Sequence, residues 1–167
     1  MDRYPRLIRR ILLPAAPVAL VALVAGVLFA LQPIRVHADS MLPTLHSGDE
    51  VVIDPVTLVL RAPHRGELVV ANSPNGGLVV KRVAAIGGDT VGIEDGVLVV
   101  NGKERREQYV DYPSIDGVYF GPVDVPRGAV FLLGDNRGNS EDSRDFGAVP
   151  DDEVIGRVLV RIWPLTR

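Results

Sequence analysis

One of the two lysines of this 167-residue chain lies in an apolar stretch with the composition of a β-strand. The stretch spans residues 78–84, and strand alternation places Lys81 on the same face as Val79 and Val83, with Arg82 on the opposite face. Burial among valines lowers the pKa of an amine, and a neutral lysine can act as a general base, which an arginine cannot. The strand alone leaves open that Lys81 reaches water or pairs with an acid.

A lysine base needs a nucleophile, and Ser40 lies in a segment that reads Asp-Ser-Met-Leu-Pro-Thr-Leu. Pro43 restricts its own φ and biases Leu42 towards extended geometry, which predicts a stiff turn. A solvated linker serine or a helix N-cap is the alternative. The motifs G-x-S-x-G and S-x-x-K are absent. A Ser-His-Asp triad would need one of three histidines that lie in turn or linker segments: His37, His46 and His64.

The third unusual stretch is residues 134–147, which read GDNRGNSEDSRDFG after an apolar strand. Its glycines and asparagines permit tight turns, and its acidic and basic residues alternate at a spacing that suits local ion pairs. A calcium loop is one alternative, although the EF-hand ligand register and flanking helices are missing. A surface loop stabilised by its own salt bridges is another.

Residues 11–31 contain neither a charge nor a hydrogen-bonding side chain, and as a helix they would span about 30 Å. Four arginines precede them, whereas residues 36–167 carry 13 basic and 20 acidic side chains. The positive-inside rule therefore predicts a cytoplasmic N-terminus at 1–10, a transmembrane helix at 11–31 and an extracytoplasmic domain at 32–167. A cleavable signal peptide is the alternative, but its apolar region is usually only about 7–15 residues long.

Short apolar or alternating runs separated by turn residues predict a mainly β domain after the apolar segment. The predicted strands are 50–53, 67–71, 78–84, 97–100, 129–133 and 154–162. The absence of cysteine excludes disulfides, thiolate metal sites and a cysteine nucleophile. The acidic domain argues against a nucleic-acid partner, and nothing in the sequence indicates a metal or other cofactor.

The three stretches together resemble the bacterial type I signal peptidases. The motifs are Ser-Met-Leu-Pro-Thr-Leu after an apolar segment, Val-Val-Lys-Arg-Val followed by Gly-Gly-Asp, and Gly-Asp-Asn-Arg-x-Asn-Ser-x-Asp-Ser-Arg, in this order. The resemblance covers the chain from the apolar segment to the last strand. It implies that Ser40 is the nucleophile, that Lys81 is the general base and that Ser140 orients the lysine.

The resemblance also implies ion pairs of Arg82 with Asp135 and of Asp142 with Arg144. The implied fold is a β core with a small β insertion, expected at about residues 93–126. Substrate would lie extended as an added strand, with shallow pockets for small side chains. The residues expected to contact it are Ile34, Val36, Val79 and Val80.

Two positions differ from many members of that family. A serine that in some members assists oxyanion binding is Ala38 here, and an aspartate of the third motif is Gly138. Neither change affects the predicted Ser-Lys pair.

The sequence therefore predicts a membrane-anchored serine endopeptidase that cleaves signal peptides from preproteins after small residues, with membrane lipid as a second partner. A dedicated maturation protease with a narrow substrate set and an inactive membrane-anchored β module remain alternatives. Soluble self-cleaving repressor proteins share the dyad on a related core, but they lack the apolar segment. The oligomeric state is left open.

Overall fold

The structure is a computed structural model that describes residues 31–110, 115 and 117–164, together with positions 17, 18, 21 and 26, which are helical. The transmembrane helix predicted at 11–31 therefore lies almost wholly outside the described residues. None of the helices within the described part is both long and apolar enough to cross a bilayer.

The described part of the chain folds into eleven strands, which confirms the mainly β prediction. Two strands, Val97–Val100 and Ala129–Leu133, match the predicted ranges, and the other predicted strands differ at their ends by at most two residues. The strands are β1 Gln32–Arg35, β2 Glu50–Asp54, β3 Leu68–Asn72, β4 Leu78–Ile86, β5 Thr90–Glu94, β6 Val97–Val100, β7 Lys103–Arg105, β8 Phe120–Asp124, β9 Ala129–Leu133, β10 Val149–Pro150 and β11 Val154–Trp163.

Seven strands form one antiparallel sheet in the order β1-β2-β11-β3-β4-β9-β10. Strand β4 pairs with β3 through residues 78–82, but its pairing with β9 begins only at Arg82. Within the described residues, the first half of β4 and the outer side of β1 are therefore unpaired edges. An unpaired edge can accept another extended chain.

The two faces of β4 belong to different parts of the core, as strand alternation predicts. Val83 is buried with Val69 on one face, whereas Val80 packs against the cluster that contains Val70 and Met41 on the other. Burial of each such side chain contributes about 1.5–3 kcal/mol. The alternation of side chains along β4 therefore determines which of them pack into each of these two core clusters.

The other four strands form a second antiparallel sheet in the order β7-β6-β5-β8. It spans Thr90–Asp124, compared with the 93–126 expected for the insertion. Strand β5 was not predicted because Gly92 weakens its apolar pattern. The turn before it contains buried Asp89, which accepts hydrogen bonds from Arg65 and Asn101. The bond from Arg65 lowers the pKa of Asp89 to about 2.

Two helices in the described domain are too short to show a helical period in the sequence. Helix α1, Val56–Leu60, follows β2 and leaves the side chains of Val59 and Leu60 more than three-quarters exposed. Helix α2, Ser143–Phe146, begins with a capping box between Asp142 and Asp145, and the Asp142 carboxylate also accepts from the Arg144 amide. The same carboxylate accepts from the Gly134 amide at 3.0 Å, which joins the start of the helix to the end of β9.

Candidate functional site

A cleft of about 750 Å³ opens along the two unpaired edges of the large sheet. Its walls come from β1, the turn around Ser40, the first half of β4 and the segment after β9. All four residues expected to contact substrate line it: Ile34, Val36, Val79 and Val80. Val36 is only 4% exposed, however, so its side chain belongs mainly to the core and little of it faces the cleft.

Lys81 lies on β4, lines the cleft and is 3% exposed. Its Nζ donates a hydrogen bond to Ser140 Oγ at 2.8 Å, and its cross-strand neighbour is buried Val69. Burial lowers the pKa of Lys81 below its ordinary value of 10.5; the charge of Asp142 opposes this shift and that of Arg144 reinforces it. The site therefore favours the neutral amine more than water does.

Ser40 lies in a turn whose next residue, Met41, is anchored in the core at 1% exposure. The Ser40 carbonyl accepts a hydrogen bond from the Asn136 amide at 3.0 Å. The side chain of Asn136 donates to the Asp39 carbonyl at 3.0 Å. Residues 134–140, here called the Gly134 loop, thus hold the serine turn by its backbone.

Ser40 and Ser140 are brought together at Gly134. A Cβ atom on Gly134 would lie 2.2 Å from Ser140 Oγ and 2.6 Å from the Ser40 carbonyl oxygen. In the part of the chain that the structure describes, no hydrogen bond joins Ser40 Oγ to Lys81 or to a histidine. The structure thus brings Ser140 close to the Ser40 backbone and into contact with Lys81, and both Ser40 and Lys81 line the cleft.

The four residues expected to form ion pairs lie in the Gly134 loop and next to it. Arg82 donates to both oxygens of Asp135 at 2.8 and 2.6 Å. Arg144 donates in the same way to Asp142, at 2.8 and 2.9 Å. Burial by itself would raise the pKa of Asp142, but Arg144 and the Gly134 amide hold it below the ordinary range. Asp142 therefore favours its charged form, and each of the two carboxylates is paired with its own arginine.

Several residues that support the loop were not singled out from the sequence. Thr44 donates to Asp135 Oδ2 at 2.5 Å, and its position in the Ser-Met-Leu-Pro-Thr-Leu motif could have indicated it. Glu107 bonds with Arg137, and Tyr109 covers Arg82. Arg137 belongs to the Gly-Asp-Asn-Arg motif, which could have indicated it. No local pattern marks Glu107 or Tyr109, because these arginine partners are 27 or more positions away.

The two positions that depart from the family pattern also lie near the site. Ala38 lines the cleft two residues before Ser40 and supplies no side-chain donor. Gly138 is exposed in the Gly134 loop, where a Cβ would contact only Ile115, at 3.8 Å. The space at Gly138 therefore accepts at least a Cβ without a close contact among the described residues.

Residues 8–163 match the family described as signal peptidase, peptidase S26. The chain is 37% identical over 164 residues to the probable signal peptidase I-1 of Synechocystis, covering 90% of this chain and 82% of that protein. It is 33% identical to signal peptidase IB of Staphylococcus aureus, covering 83% of this chain and 81% of that protein. The solved structure of a signal peptidase I from Enterococcus faecalis is similar, with a TM-score of 0.52 and 32% identity over 60% of this chain and 98% of that one.

Gly134→Ala tests the close approach of the two serines. The added Cβ overlaps Ser140 and the Ser40 carbonyl, so we expect the free energy of unfolding to fall by about 1–3 kcal/mol, the usual cost of overpacking. Gly138→Ala is the matched control in the same loop and should change stability by less than about 0.5 kcal/mol. Denaturant unfolding of both variants measures the difference, and equal stabilities would contradict the packing described at Gly134.

Proposed function

Since the chain belongs to the signal peptidase family, peptidase S26, and is a serine endopeptidase that cleaves signal peptides from preproteins, we propose that Ser40 and Lys81 carry out this hydrolysis. The observation that carries the proposal is the hydrogen bond from buried Lys81 to Ser140, at the end of a cleft that also contains Ser40. The bond directs the amine, and burial favours its neutral form.

In the proposed mechanism, the lone pair of neutral Lys81 accepts the proton of Ser40 Oγ while that oxygen attacks the scissile carbonyl carbon. The protonated lysine then donates a proton to the leaving amine, and an ester between Ser40 and the signal peptide remains. Lys81 next takes a proton from the water that attacks the ester carbonyl. It returns this proton to Ser40 Oγ as the ester bond breaks, which releases the signal peptide with a new carboxyl terminus and restores the neutral lysine. Ser140 accepts a hydrogen bond from the amine throughout and so holds it towards Ser40.

The tetrahedral intermediate carries a negative oxygen, for which we propose the Ser40 amide as donor. Ala38 has no side-chain donor, so any second hydrogen bond must come from the backbone or from water. A single removed donor in an oxyanion site typically costs about 3 kcal/mol of transition-state stabilisation. The proposal therefore places most of this stabilisation on main-chain groups.

The substrate is proposed to enter as an extended strand between the two unpaired edges of the cleft, β1 and the first half of β4. Main-chain hydrogen bonds would give affinity that is independent of sequence. Ile34, Val79 and Val80 are half-buried and would present apolar walls next to Ser40. We propose that shallow pockets between such walls accept small side chains, as the family resemblance implies for cleavage after small residues.

We further propose that residues 11–31 anchor the enzyme, with 1–10 in the cytoplasm, 32–167 outside, and the second sheet as the small insertion within that catalytic domain. Strand β1 begins at Gln32, immediately after the apolar segment, and Gln32 pairs with Ile53. Helix α1 starts at Val56, three residues after Ile53. Its exposed Val59 and Leu60 therefore lie near the end of the sheet at which Gln32 enters. This arrangement supports contact with membrane lipid at that end.

A dedicated maturation protease with few substrates would use the same site, and the intact Ser40, Lys81 and Ser140 argue against an inactive module. The test is cleavage of a panel of unrelated preproteins by the purified protein. We expect cleavage after small residues, and we expect Ser40→Ala to abolish it because no other nucleophile occupies that position. Cleavage of a single substrate would favour the dedicated protease, and undiminished cleavage by Ser40→Ala would exclude the mechanism.

The protonation of Lys81 predicts how activity depends on pH. Burial lowers its pKa, so the base is neutral above that lowered value and becomes charged as the pH falls through it. We therefore expect a plot of kcat/KM against pH to fall on its acid side, and the midpoint of this acid limb should lie below the ordinary lysine pKa of 10.5. Lys81→Arg retains the charge but cannot deprotonate, so it should be as inactive as Lys81→Ala.

Variants of His37, His46 and His64 to alanine are the controls for this profile and should each keep the acid limb. A limb that disappears with one of these histidines would contradict the assignment to Lys81. Substantial cleavage by Lys81→Arg would contradict the role of a neutral amine.

The proposed orientation predicts that protease added outside the intact inner membrane digests the domain from Val36 onward. The reason is the excess of arginine before the apolar segment, which retains the N-terminus in the cytoplasm. Fragment analysis of spheroplasts measures the outcome. A domain that stays protected until the membrane is ruptured would overturn the orientation.

A further inference from the structure

We infer that Tyr109 and Glu107, in the segment after β7, are positioning residues that hold the Gly134 loop against the catalytic serine and lysine. Glu107 contacts Arg137 of the loop, and Tyr109 contacts Arg82, the arginine that pairs with Asp135 of the loop. The inference rests on the proposed function of Ser40 and Lys81. Neither residue belongs to the described lining of the cleft.

Tyr109 covers the guanidinium that follows Lys81 on β4. The Cζ of Arg82 lies 3.8 Å from the centre of the Tyr109 ring, and the Arg82 side chain is only 11% exposed. The face of an aromatic ring attracts a guanidinium, and exclusion of water strengthens the bonds of Arg82 to Asp135. The ring therefore helps to fix the first acidic residue of the Gly134 loop.

Glu107 holds the same loop through a second arginine. Its carboxylate receives a hydrogen bond from Tyr109 Oη at 2.6 Å and one from Nη2 of Arg137. Arg137 is 4% exposed, and its Nε donates to the Gly134 carbonyl at 3.0 Å. One carboxylate thus connects the ring on Arg82 with the arginine that fixes the start of the loop.

The other side of the loop makes the contacts that catalysis requires. The Asn136 amide holds the Ser40 carbonyl, Asp135 accepts from Thr44 in the same motif, and Ser140 accepts from Lys81. A loop shift of about 1 Å would misalign nucleophile and base, and such misplacement can lower a rate about 100-fold. Because the supporting residues do not line the cleft, their loss should lower kcat and leave KM nearly unchanged.

The experiment compares Tyr109→Leu with Tyr109→Phe in preprotein cleavage. Tyr109→Leu removes the ring that stacks on Arg82, and we expect kcat to fall about tenfold with KM within about twofold of the wild type. Tyr109→Phe keeps the ring and should retain most of the activity. Tyr119→Leu is the matched control, since Tyr119 directly precedes β8 of the second sheet but is 70% exposed. It should not change either constant.

Glu107→Gln is a second variant that keeps an acceptor for Tyr109 but loses the charge opposite Arg137. It should also lower kcat rather than raise KM. An increase in KM at constant kcat, in either Glu107→Gln or Tyr109→Leu, would assign the segment to substrate binding and overturn the inference. Equal loss in Tyr109→Leu and Tyr109→Phe would overturn the role of the ring.

Hydrogen exchange of the Asn136 amide, which bonds to Ser40, gives a readout that needs no substrate. We expect it to exchange about tenfold faster in Tyr109→Leu and at the wild-type rate in Tyr119→Leu. Unchanged exchange in Tyr109→Leu would overturn the inference. Failure of the wild-type protein to cleave any preprotein would refute the proposed function instead. The exchange rates would in that case still show whether Tyr109 holds the Gly134 loop in place.

Discussion

The hydrogen bond from a buried lysine to Ser140 is the contact on which the rest of the site depends. Lys81 lies on an apolar face of β4, where burial lowers the pKa of its amine. The hydrogen bond to the Ser140 hydroxyl fixes the direction of that amine. The bond needs Ser140 in one place, yet Ser140 lies in a loop rather than in the sheet. The loop must therefore be held by contacts as strong as those of a strand.

Two arginine–aspartate ion pairs supply these contacts, and neither aspartate forms an ion pair with Lys81, which would raise the pKa of the lysine. Asp135 and Asp142 are buried, and each is bound by an arginine. Among the described residues, no carboxylate lies within salt-bridge distance of Lys81. A carboxylate at that distance would favour the charged amine, so giving each acid its own arginine keeps the loop rigid and leaves the base available. Arginine suits these two pairs because it keeps its charge when it is removed from water.

The same sheet that buries the lysine also leaves room for a substrate strand. Because β9 pairs with β4 only from Arg82 onward, the residues before Lys81 keep an unpaired edge. Strand β1 supplies the other wall, and the serine turn that follows it is bound to the Gly134 loop. The edges proposed for substrate and the proposed base therefore lie on one sheet, and the proposed nucleophile lies in a turn that the Gly134 loop holds. Motion of the loop would on this proposal affect catalysis more than binding.

The sequence by itself determined the elements whose signals are local. Alternation showed the strands, including the face of β4 that carries Lys81, because side-chain direction repeats every two residues; the glycine-rich and asparagine-rich turns marked their ends. The motifs around Ser40 and Ser140 indicated which groups could react. The distances that make these groups a site arose only from the tertiary structure, as in the bond of Thr44 to Asp135, which are 91 positions apart. The support by Tyr109 and Glu107 was likewise hidden, because contacts between distant segments depend on how the sheets and loops pack and leave no local period in the chain.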